Sequence, residues 1–113
     1  MPIVRTRIDV KPADAQFRHG DEIREENREV LDTDQTEMLN YVNWVLSYPG
    51  VLDRRAYAKD EHTWVTIIVF EDMAAHDKFE EANKDHPTVL KRIAYGKSIG
   101  ITSTITVEDH PAE

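Results

Sequence analysis

From Ile3 to Val10 the side chains alternate, with Val4, Thr6, Ile8 and Val10 on one side and Ile3, Arg5, Arg7 and Asp9 on the other. A repeat of two is that of a strand, whose successive side chains point to opposite faces. Lys11-Pro12 ends it. Residues 13–34 are the most charged stretch, with Ile23, Val30 and Leu31 at helical spacing, and predict a short exposed helix or an ordered excursion. Asp34 then stands where a helix cap should, with Glu37 at the third helical position. Met38, Leu39, Val42, Val45 and Leu46 follow as an apolar stripe that Pro49-Gly50 stops.

Val51–Ala58 and Thr63–Phe70 are strand-like runs joined by the polar residues 59–62, which predicts a hairpin. In the second run Val65, Ile67 and Val69 alternate with Trp64, Thr66, Ile68 and Phe70, so neither side is strongly polar and the strand should be buried on both. Asp72 caps a second helix carrying Met73, Phe79, Ala82, Leu90 and Ile93, with a restart or kink at His86-Pro87. Gly96 and Gly100 mark its exit. The β-branched run through Ile99, Ile101, Ser103, Ile105 and Val107 predicts a last strand, and Asp109–Glu113 a frayed tail.

The order is strand, helix, strand, strand, helix, strand. It predicts one α+β domain with a ferredoxin-like βαββαβ antiparallel sheet, two helices covering one face. The doubly apolar third strand implies that the other face is also covered, by a second copy of the chain or by a ligand.

Composition narrows the chemistry. The 113 residues make one domain's length, and the absence of cysteine excludes disulfides, thiolate metal ligands and thiol nucleophiles. A formal charge of −8 with no basic cluster argues against nucleic acid and anionic membrane as partners. No leader pattern or membrane-spanning apolar run is present, so a cytoplasmic protein is expected.

Two groups of residues could carry chemistry. Arg5 and Arg7 share a strand side; with Val4, Thr6 and Ile8 packed on the helices, the guanidinium groups would reach the second sheet face and hold a carboxylate or phenolate there. Their structural alternative is pairing with acids of neighbouring strands or of a partner subunit, Asp53 among them. His76, Phe79, Asn83, His86 and Leu90 form one stripe on a continuous helix, as a pocket wall would, and an imidazole there could take a proton from a phenolic substrate near neutral pH. His86 and His76 are therefore the candidate bases, each with a helix-capping or core role as its alternative. Trp64, Thr66 and Phe70 share a strand side that would meet the cavity or the dimer seam if Val65, Ile67 and Val69 face the helices. His76 and Glu80 alone make too small a ligand set for a metal, and none is expected.

The run Tyr48-Pro49-Gly50-Val51-Leu52, a hairpin, and then Val65 through His76 with a small-residue helix start resembles the antibiotic biosynthesis monooxygenase domain. The resemblance implies a dimeric α/β barrel, in which two sheets pack face to face and each encloses a pocket against its own helices. It implies a homodimer acting without a cofactor on an aromatic or polyketide-like molecule, with His86 or His76 as base and Arg7, Arg5, Trp64, Thr66, Phe70 and Asn83 around the substrate. Oxygenase members commonly carry Asn and Trp where this chain has Thr66 and Phe70, and haem-degrading members carry Asn where it has Arg7. The run His86-Pro87-Thr88-Val89 is similar to the His-Pro-x-His motif of stress-responsive α/β barrels, with Val89 replacing the second histidine. Beside the monooxygenase reading stand a non-catalytic dimeric domain that binds a hydrophobic small molecule, and a haem-binding or haem-degrading protein with His86 as axial ligand.

Overall fold

The computed structural model describes residues 2–12, 35–60 and 62–109, with only the backbone of 35–38 and 58. Along them run β1 (Ile3–Val10), α1 (Gln35–Ser47), β2 (Val51–Ala58), β3 (Thr63–Phe70), α2 (Met73–Asn83), α3 (Pro87–Ile99) and β4 (Thr102–Asp109). The charged stretch 13–34, the Asp34 cap with the Glu37 side chain, and the end of the tail lie outside the described residues. The strands form one antiparallel sheet in the order β2-β3-β1-β4, the ferredoxin-like arrangement, which is α+β as expected.

The helices lie on one face of that sheet. Ile3, Ile68 and Phe70 join Tyr41 and Val45 of α1, Ala75 and Phe79 of α2 and Val89 of α3 in a single core. Phe70, Phe79 and Val45 are wholly buried there. The face is the reverse of the one expected, because Ile3, Arg5, Arg7 and Asp9 are turned toward the helices, and so are Trp64, Thr66, Ile68 and Phe70. Val4, Ile8, Val65, Ile67 and Val69 stand on the other side. In β1 one side holds Val4, Ile8 and Val10 and the other only Ile3 as apolar residues, so that the side with two arginines and an aspartate reads as an outer face. Ion pairing lets them be an inner one.

The restart expected at His86-Pro87 divides the second helix in two, since α2 ends at Asn83 and α3 begins at Pro87. Proline at the first helical position lacks the N–H that continuation would need, and His86 caps the new start. Ile99 belongs to α3 rather than to the last strand, and Gly96 lies inside that helix. Gly100 ends it in the left-handed region at φ 79° while Ile101 N–H donates to the Gly96 carbonyl at 2.8 Å. Asp109 is the last residue of β4, not the start of the tail.

β2 carries an irregularity with consequences for the site. Val51 pairs with Phe70 but Asp53 with Val69, so Leu52 is an extra residue. From there the alternation inverts, placing Arg54 and Ala56 on the helix side and Asp53, Arg55 and Tyr57 on the other.

Candidate functional site

On the helix side the cross-strand partners form rows. One row reads Arg54, Ile68, Arg5, Val107; the next reads Ala56, Thr66, Arg7, Ile105; the third has Trp64, Asp9 and Ser103. Antiparallel partners stand on the same face, so these side chains rise together toward the helices.

Arg5 is 5% exposed and its Nε faces Glu80 Oε1 of α2 in an ion pair. The opposite charges offset the loss of water around each. Arg7 Nε donates to Asp9 Oδ1 at 3.0 Å and its Nη2 to Ser103 Oγ at 3.3 Å, while Ser103 Oγ also donates to Asp9 Oδ1. Neither arginine meets Asp53, which instead accepts from Arg55 Nε at 3.1 Å and from the Arg54 main chain at 2.9 Å.

His76 reaches the same place from α2. It stands beside the Phe70 ring at 5.3 Å, with Nδ1 3.0 Å from Asp77 Oδ1 and Nε2 3.9 Å from Glu80 Oε1. A carboxylate only accepts, so Asp77 fixes the ring proton on Nδ1 and leaves the Nε2 lone pair open beside the Glu80–Arg5 pair. Asn83 closes α2, buried, and its Oδ1 accepts from the Tyr41 hydroxyl at 2.6 Å.

Tyr41 is the group at which these charges meet. Burial raises the pKa of its phenol above 10, and the positive charges of Arg54, Arg5, Arg92 and Arg7 pull it the other way. Arg54 is itself held below the ordinary guanidinium value, first by burial and then by the like charge of Arg92, with Tyr41 opposing. Four guanidinium groups thus act on one buried phenol, and low polarity strengthens the field of each there.

Of the residues singled out in the sequence, Arg5, Arg7, Thr66, Phe70, His76 and Asn83 stand on or over the helix side of the sheet together. Trp64 shares that face one row beyond, beside Asp9. His86 is set apart in the helix layer, between the rings of Tyr41 at 4.9 Å and Trp44 at 4.7 Å. Its Nδ1 accepts from Thr88 N–H at 3.2 Å, so the lone pair it would need as a base there is engaged in capping α3. Leu90, 51% exposed, has left the stripe with it, because the break at 84–86 interrupts the helical register.

Sequence reasoning missed Tyr41 as more than core, weighed Glu80 only as a metal ligand, and missed Arg54 and Arg92 altogether. For Arg54 no local signal exists, since the bulge at Leu52 alone decides which of Arg54 and Arg55 faces inward. Glu80 was visible four residues after His76 and became informative only once Arg5 was known to point the same way.

No protein-family model and no curated protein matches the chain. Solved structures do. Rv0793 from Mycobacterium tuberculosis aligns over 100% of this chain and 98% of its own, with TM-score 0.62 and 17% identity. SnoaB, a cofactor-independent oxygenase from Streptomyces nogalater, aligns over 99% and 95% with TM-score 0.59 and 10% identity. An antibiotic biosynthesis monooxygenase aligns over 99% and 100% with TM-score 0.58 and 16% identity. The chain has the fold of the antibiotic biosynthesis monooxygenases. Among the described residues no helix is long and apolar enough to cross a membrane.

Proposed function

We propose that this chain is a cofactor-independent monooxygenase acting on a phenolic, polyketide-like aromatic molecule, working as a homodimer. The observation that carries the reading is the convergence of His76, the Arg5–Glu80 pair, Arg7 and Arg54 around Tyr41 on the helix side of the sheet. The likeness of fold to a cofactor-independent oxygenase supports it.

In this reading His76 Nε2 takes the proton from the substrate, and the guanidinium groups stabilise the resulting phenolate or enolate. The electron-rich anion then reacts with dioxygen. For an anthrone the balance is a methylene oxidised to a carbonyl, with one oxygen atom retained and the other released as water. Phe70 and Ile68 belong to the core packed beneath these groups, which keeps the surroundings of the anion apolar. His76 serves better than His86 here, since the latter's Nδ1 is committed to the Thr88 N–H.

A second reading has its own support. Arg5 and Arg7 already have Glu80 and Asp9 as partners, as in a domain that binds a small molecule without transforming it. Oxygen consumption with anthrone and 1-naphthol, by chelator-treated protein and above the buffer rate, separates the two. Uptake that falls at least about 100-fold in His76→Ala, the size of a general-base contribution, bears out the monooxygenase. Binding without uptake leaves the non-catalytic domain.

A further inference from the structure

We propose that Arg54 is a carboxylate-binding residue, and that the molecule this site takes is a hydroxylated aromatic monocarboxylate with its acid group at Arg54 and its phenolic oxygen toward Arg7. The inference rests on the reading that the helix side of the sheet receives an aromatic small molecule, and it names that molecule's class.

Arg54 Nε is buried, and among the described residues it has no hydrogen-bond partner. The bulge at Leu52 puts its sequence neighbour Asp53 on the opposite face, where Asp53 engages Arg55. On its own face Arg5 is matched by Glu80 and Arg7 by Asp9, while the Tyr41 hydroxyl gives its proton to Asn83. Arg54 is half-buried, and a guanidinium whose Nε is shielded from water with no counter-anion among the described residues is costly to the folded chain, a cost to which the nearby charge of Arg92 adds. A ligand carboxylate removes it. One unmatched cation suits a monoanion, and the Nε–Nη edge of a guanidinium matches the two oxygens of a planar carboxylate.

The surroundings define the rest of the molecule. Between Arg54 and Arg5 the sheet presents Ile68, and the next row carries only Ala56 and Thr66 before Arg7. Ile68 is covered by the core, whereas the short side chains of Ala56 and Thr66 are half-buried, and a flat ring would lie over these two. β2 and β1 are separated by β3, two strand spacings or about 10 Å, which is the span of a bicyclic aromatic acid with polar groups at its two ends.

The test is anaerobic equilibrium binding to the full chain of 6-hydroxy-2-naphthoate, 2-naphthoate and 2-naphthol. The hydroxy acid is expected to bind at least about tenfold more tightly than 2-naphthol, the advantage of a charge-assisted bidentate contact, and Arg54→Gln is expected to abolish that advantage. Without ligand, Arg54→Gln should also melt at a higher temperature than the parent, since it removes an unmatched, half-buried charge. Equal binding of acid and phenol, an advantage that survives the substitution, a lower melting temperature, or no binding of any of the three overturns the proposal. Because oxygen plays no part in these measurements, binding of the acid with no oxygen uptake sinks the monooxygenase and leaves the carboxylate site. Uptake with 2-naphthol and no preference for the acid does the reverse.

Discussion

Tyr41 shows how one buried hydroxyl reports on its surroundings. It is 9% exposed, it hydrogen-bonds Asn83 at 2.6 Å, and burial outweighs four guanidinium charges to keep its pKa raised. A pKa raised by folding means that the protonated phenol contributes stability fully below the unfolded value near 10. That contribution is lost as pH rises through the higher folded value. Tyr41→Phe leaves the Asn83 amide oxygen unsatisfied and is expected to cost about 1–2 kcal/mol at pH 7. The variant has no ionisation to lose, so the gap in melting temperature between it and the parent should narrow above pH 10. Thermal melts at pH 7 and at a pH between 10 and 11 measure this, and a gap that does not change with pH would show that the phenol's burial is not linked to folding.

At the level of elements, the turn from α1 into β2 depends on Gly50. Its φ is +90°, and a Cβ added there would overlap the Cβ of Ala75 at the start of α2. Gly50 also accepts from Glu71 N–H at 2.8 Å, tying the end of β3 to the same turn. Gly50→Ala is expected to lower stability by about 2 kcal/mol, roughly half from the left-handed backbone and half from displacing α2. Urea unfolding measures it, and a loss under about 0.5 kcal/mol would mean that the turn relaxes freely. Pro49-Gly50 was plain in the sequence, as were the hairpin, the Asp72 cap and the order of strands and helices, because each rests on local stereochemistry. What was not legible depends on contacts distant along the chain. Which side of β1 faces the helices is settled by Glu80 meeting Arg5, and Arg54 turns inward through one unpaired residue in β2. The stripe from His76 to Leu90 assumed a helix that Pro87 interrupts, so His76 and Asn83 kept their place over the sheet and His86 lost it. The candidate site was therefore legible as a set of residue types more than as a geometry. The two arginines do converge with His76, by way of the opposite sheet face from the one expected.

The whole molecule has a sheet with two unlike sides. The helix side carries the charged interior. The far side has Val4, Ile8, Ile67 and Val69 half-buried around a buried Val65, with Tyr57 48% exposed at one flank and the exposed threonines 102, 104 and 106 at the other. All three described helices contribute to the core on the opposite side, so among the described residues no helix covers this apolar strip, and in the proposed homodimer a second copy would pack on it. Pairing by apolar burial between chains of formal charge −8 works against long-range repulsion, which salt screens. A homodimer built on this face, as proposed above, should accordingly tighten as ionic strength rises, the opposite of an interface built on ion pairs. Ile67→Lys places a charge at the middle of the strip and is expected to give a monomer by sedimentation equilibrium, with far-ultraviolet dichroism like the parent's. Tyr57→Lys, at a position already exposed in the single chain, tests the same surface without touching the core. Dimers in both variants, or a parent dimer that dissociates in high salt, would move the interface away from this face.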